Sequence, residues 1–140
     1  RAGRQVLERD PRRTTNDGDM GRYTRGNGCG RGVHVTDCPF CDYSGPSKIL
    51  CDFGDVIVFA PLNPVVPGHL LVVPREHVSH FGSSPHISAR VAECAALVTG
   101  QVGEWNVITS IGAAATQTVK HLHLHIIPRF TNDGIRLPWA

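Results

Sequence analysis

The chain has 140 residues, 41% of them apolar and 19% charged, with a formal net charge of +2. That length suits one domain with its own core, and the composition is that of an ordinary globular protein. No run approaches the ~18 apolar residues of a membrane span and the first residues lack the apolar segment of a signal peptide, so the expected compartment is the cytoplasm, with no membrane partner.

Charge is unevenly distributed. Residues 1–32 carry eight arginines against Glu8, Asp10, Asp17 and Asp19, while the remainder carries six basic and eight acidic residues. The basic, glycine-rich residues 1–36 bury too little apolar surface to offset the entropy of ordering and read as a flexible leader. Residues 37–140 read as the folded domain. The leader's charge would suit RNA or a phosphate surface, but a solvated tail is the simpler reading and nucleic acid is not an expected partner. Five cysteines (Cys29, Cys38, Cys41, Cys51 and Cys94) make an odd number, which argues against a disulfide framework. The close pair in "CPFC" reads as metal ligands or redox thiols.

In chain order, "CPFCDYSG" is a turn-rich knuckle, followed by a short strand over 48–53 and a β-rich run "DVIVFA" over 55–60. "PLNPVVPGH" has too much proline and glycine for regular structure and forms an ordered loop. "LLVVP", 70–74, is apolar throughout and reads as a strand buried on both faces. The helix follows, with Ser84 as N-cap, Pro85 in the first turn, Ile87, Val91, Ala95 and Val98 on one stripe, and Gly100 as stop. "EWNVITSIG" and "KHLHLHIIPR" are strands joined by the small-residue loop "GAAATQT". The pattern predicts an α+β domain: an antiparallel sheet of about five strands packed by one main helix.

The histidines of "HLHLHII" alternate. In a strand, His121, His123 and His125 share one face while Leu122, Leu124 and Ile126 enter the core on the other. Neighbouring rings then sit ~6–7 Å apart along the strand and the outer pair about 13 Å. One ion could be shared by two neighbours but hardly by all three. Three polar rings on one face are costly for a structural strand, so function is the stronger reading. A neutral imidazole offers a ring nitrogen lone pair as nucleophile or metal ligand. Attack on phosphorus would give a covalent phosphoramidate and divide one difficult displacement into two. The preceding loop suits that chemistry: "GAAATQTV" is small where a ligand must come close, then supplies Gln117 and Thr118 as donors.

These motifs resemble the histidine triad (HIT) nucleotide hydrolases and transferases, defined by His-x-His-x-His followed by two apolar residues, with x apolar. The resemblance runs over roughly 38–139 and includes "CPFC", "PLNPVVPGHLLVVPREHV", "ATQTVKHLHLHIIPR" and a late tryptophan, Trp139. It implies a HIT-like fold in which His123 is the nucleophile accepting a nucleoside monophosphate, His125 contacts the transferred phosphate and His69 completes the cluster. Gln117 and Thr118 would contact phosphate oxygens or the leaving group, with Ser110 where the family's loop carries Asn. The nucleoside would lie in an apolar slot near Ile57 and Phe59, with Asn63 and Trp139 also among the nucleotide-binding residues. A zinc-bearing subset of the family implies a structural Zn²⁺ on Cys38, Cys41, His77 and His121, with His80 as a substitute for His77. Small members pair as homodimers through the helix and the strand after it, here "EWNVITSI" with Trp105 at the seam. Pro61 stands where relatives carry the Asp or Asn that holds ribose; Asp55 or Asn63 would have to replace it.

The implied activity is hydrolysis or transfer at the α-phosphate of a nucleoside phosphoramidate or related conjugate. A non-catalytic zinc-containing module that binds nucleotide or nucleic acid is the alternative. A cupin-type metal enzyme would need a carboxylate where Ile126, Ile127 and Pro128 stand, and an amidohydrolase barrel needs about 250 residues.

Overall fold

Five short antiparallel strands make one sheet in the order β1-β2-β3-β5-β4, where β1 is Ile49–Asp52, β2 Val56–Phe59, β3 Leu70–Pro74, β4 Glu104–Ile108 and β5 Leu124–Arg129. Among the described residues one α-helix, α1 (Pro85–Thr99), connects β3 to β4. This computed structural model describes residues 37–42, 49–100 and 103–137. The proposed leader (1–36) and Trp139 lie outside the described residues. The predicted α+β architecture, an antiparallel sheet with one helix, is the fold observed.

The period-2 pattern assigns the two faces. Val56, Val58, Val72, Leu122, Leu124 and Ile126 form the core beneath the helix with Val91, Cys94 and Ala95. On the opposite face Ile57, Phe59, Leu71 and Val73 cluster with Phe40 and Ile49 packed against them. Leu71, Val72 and Val73 are thus buried on alternate sides, as an all-apolar central strand requires. The side chains of Leu122, Leu124 and Ile126 contribute about 1.5–3 kcal/mol each by burial, so a one-residue slip that exchanged them for the histidines is strongly disfavoured.

The helix begins with Pro85 at its first turn after Ser84 and stops at Gly100, as predicted. Its buried stripe runs through Ser88, Val91, Cys94 and Ala95, with Ile87 and Val98 at the margins. No described helix is long and apolar enough to cross a membrane.

The last strand departs from the prediction. The ladder begins at Leu124, so His121 and His123 precede it. Pairing with β3 ends at Val72↔Leu124 and with β4 at Ile108↔His125. The Leu122 amide turns instead to the Val78 carbonyl at 2.7 Å. The alternation of faces survives without the ladder, because the apolar residues still reach the core.

Candidate functional site

Hydrogen bonds fix the proton on His69, His123 and His125. A backbone carbonyl only accepts, so the 2.7 Å contact between His123 Nδ1 and the His121 carbonyl puts the hydrogen on Nδ1 and leaves Nε2 as the lone pair of the neutral ring. A backbone amide only donates, so the Val65 N–H at 3.1 Å makes His69 Nδ1 an acceptor. His69 then donates from Nε2 to His125 Nδ1 at 2.9 Å. The neutral His125 must therefore carry its own proton on Nε2. A ring nitrogen with a free lone pair on His123 and a donor on His125 thus stand on neighbouring rings whose centroids are 5.0 Å apart.

Local backbone places these groups. Gly68 has φ +86, and a Cβ there would come within 3.2 Å of Pro128 Cγ, so glycine allows the "PGH" turn to deliver His69 to the position just before β3, beside β5. His69 and His123 are 3% and 5% exposed. Burial, then the neighbouring imidazoles of His123 and His69, pushes His125 down to about 4, and burial lowers His69 as well. Both are neutral near pH 7.

This yields a stability prediction. Unfolded, the two rings return toward ~6.5, so the unfolded chain binds protons first as pH falls. The stability associated with the neutral pair is complete above pH ~6.5 and is lost as pH drops toward about 4. His125→Gln should flatten this dependence: its urea midpoint should fall less between about pH 7 and pH 5 than that of the wild type. An equal or steeper fall would contradict the assignment.

Cys38, Cys41, His77 and His121 come together, with all four donor atoms within 4.8 Å of one another. Cys38 Sγ lies 3.3 Å from His121 Nδ1, and Cys41 Sγ lies 3.2 Å from His77 Nδ1 and 3.5 Å from His121 Nδ1. His121 Nε2 donates to the Pro74 carbonyl at 2.9 Å, which leaves Nδ1 bare toward the thiols. His80 is not part of the group; its Nδ1 accepts from the Gly82 amide at 3.1 Å. Cys51 and Cys94 are free thiols elsewhere.

The loop behaves differently from expectation. Gln117 spends its carboxamide on backbone: Oε1 accepts from Gly112 N–H at 2.9 Å, and Nε2 donates to the carbonyls of Ser79 and Val119 at 2.7 and 3.0 Å. Here Gln117 braces the loop, whereas Thr118 is exposed and Ser110 half-buried. Asp55 is held by Arg90 through bonds of 3.0–3.2 Å and leads into β2 at the end away from the Pro61 loop, so it is not placed to replace a ribose ligand. Asn63 is exposed. Ile57 is 0% exposed and Phe59 6%, so Ile57 offers no free surface to a nucleoside.

A family model, the HIT domain, matches residues 44–132. The chain belongs to the HIT domain family. It is 34% identical over 110 residues to an uncharacterized HIT-like protein of Borreliella burgdorferi, covering 70% of this chain and 79% of that one. An adenosine 5'-monophosphoramidase, hnt1 of Schizosaccharomyces pombe, is 32% identical over 109 residues, covering 73% and 82%. Among solved structures, a HIT family hydrolase from Clostridium thermocellum superposes with a TM-score of 0.62 at 30% identity, covering 74% of this chain and 98% of that one.

The HIT match begins after the "CPFC" knuckle, so the four-residue cluster rests on this chain's own geometry. Two residues at the histidines escaped the sequence reading. Phe40, inside the knuckle, sets its ring edge-on at 5.3 Å to His123, 5.8 Å to His121 and 5.7 Å to Phe59. Thr109 donates its hydroxyl to the His123 carbonyl at 2.9 Å. The place of Phe40 between two cysteines was a signal available in the sequence; Thr109 offered none.

Proposed function

We propose that this protein is a nucleotide hydrolase or transferase acting at the α-phosphate of a nucleoside phosphoramidate or related nucleotide conjugate. The observation that carries the reading is the tautomer of His123, whose Nδ1–H is tied to the His121 carbonyl while Nε2 keeps its lone pair. In the first step Nε2 forms a bond to phosphorus as the bond to the leaving group breaks. Water then cleaves the N–P bond, releasing the nucleoside monophosphate and restoring the ring. His125, neutral and protonated on Nε2, donates to a phosphate oxygen, and His69 holds it in that tautomer. Thr118 and Ser110 contact phosphate from the loop that Gln117 braces. The nucleoside packs on the Phe59 face, with the partly buried Phe40 as its wall and Asn63 and Trp139 at its margins. The adenosine monophosphoramidase among the relatives supports this substrate class. Incubation with adenosine 5'-phosphoramidate should release AMP and ammonia; failure on this and on other nucleotide conjugates would end the assignment.

Zinc fits the four-residue cluster. With bonds of ~2.3 Å to sulfur and ~2.0–2.1 Å to nitrogen, a tetrahedral ion sets S and N ligands about 3.5 Å apart, close to the 3.2–3.5 Å found. Cys₂His₂ with no open position would make the ion structural, closing the knuckle that carries Phe40.

We also read the outer edge of β4 as the seam of a homodimer, with residues 1–36 as a separate leader. β4 ends the sheet, Val107 and Leu97 are 49% and 59% exposed, and the Trp105 indole N–H is buried with no partner among the described residues. Sedimentation should give twice the 15.2 kDa chain mass, and Val107→Lys should return the protein to the monomer. A monomeric wild type at micromolar concentration would refute the pairing.

A further inference from the structure

The strand stops at the residue that the proposed chemistry depends on. β5 is paired with β3 as far as Leu124 and with β4 as far as His125, so the carbonyl of His123 lies beyond the last paired residue of both ladders. His123 is nonetheless 5% exposed, and a buried carbonyl needs a donor. The hydroxyl of Thr109 supplies it at 2.9 Å. Thr109 is the first residue after β4, where the chain leaves the sheet, so a side-chain bond takes over where main-chain pairing ends. His123 is thereby gripped twice: its ring through Nδ1 to the His121 carbonyl at 2.7 Å, its main chain through Thr109.

We infer that Thr109 is a positioning residue for His123, setting the main chain from which the nucleophilic ring projects. The inference rests on the proposed role of His123. Valine is nearly isosteric with threonine but has no hydroxyl, and serine keeps the donor. Thr109→Val should lower kcat about five- to tenfold, the size expected for one hydrogen bond, and leave KM within about twofold. Thr109→Ala, which also lacks the donor, should behave alike, and Thr109→Ser should stay within about twofold of wild type in both constants.

A second measurement does not depend on turnover. The ring Cε1–H signal of His123, assigned by its loss in His123→Ala, should shift or broaden in Thr109→Val and stay in place in Thr109→Ser. The inference fails if Thr109→Val keeps the wild-type kcat, if its loss appears in KM, if serine does not rescue, or if the ring signal does not move. Should the wild type turn over no nucleotide conjugate, the proposed function falls, and the ring signal alone decides whether Thr109 positions His123.

Discussion

His123→Ala should lose ~10⁴-fold or more in kcat, since removing the nucleophile of a double displacement leaves only binding and the remaining electrostatics. No neighbour can substitute. His125 Nδ1 is occupied by His69 and its Nε2 carries a proton, while His121 faces the thiols with one nitrogen and the Pro74 carbonyl with the other. The fold should survive, because His123 lies on the face opposite the helix-side core of Val72, Val91, Leu124 and Ile126. The variant should therefore keep its far-UV circular dichroism and its metal content while steady-state turnover disappears. Wild-type rates in a folded, metal-loaded His123→Ala protein would remove the hydrolase assignment and favour a module that binds nucleotide without turning it over.

Cys38→Ser should produce the largest loss of stability. Cys38 is 6% exposed, and its sulfur is one of four donors from segments far apart in the chain, 83 residues separating it from His121. An ion that binds only the folded chain adds about 4 kcal/mol when free metal stands ~1,000-fold above its Kd, and three ligands hold it far less tightly than four. For a domain of this size that corresponds to a fall in melting temperature of about 15 °C or more. Bound zinc, measured by atomic emission after dialysis, should drop well below one ion per chain. Normal zinc in Cys38→Ser would show that the ligand set is wrong, and an unchanged melting temperature would show that the ion does not support the fold. His80→Ala, outside the cluster, should change neither.

Much of this site was legible because its chemistry follows short spacings. Two cysteines separated by two residues can converge only on something between them, and alternation in "HLHLHII" puts imidazoles on one side whether or not the segment is laddered. The ligand set Cys38, Cys41, His77 and His121 came from resemblance to the family, and the geometry brings those four side chains together. What escaped depends on where pairing ends. The residue pattern cannot say that β5 starts at Leu124, since His121 and His123 continue the same period; the end is set by how far β3 and β4 run alongside. Thr109 matters only because of that end. Gln117 shows the same limit in another form, because a loop carboxamide can face a phosphate or its own backbone; it bonds Gly112 and Val119 within the loop, and its bond to Ser79 depends on the segment after His77 lying beside the loop.

The most direct test is to locate the covalent intermediate. Rapid alkaline quenching of wild type during turnover of adenosine 5'-phosphoramidate, followed by peptide mass spectrometry, should find one added adenylyl group on the peptide spanning residues 121–129, with fragmentation assigning it to His123. An adduct on His121 or His125, or steady turnover with no adduct on any histidine, would contradict the account.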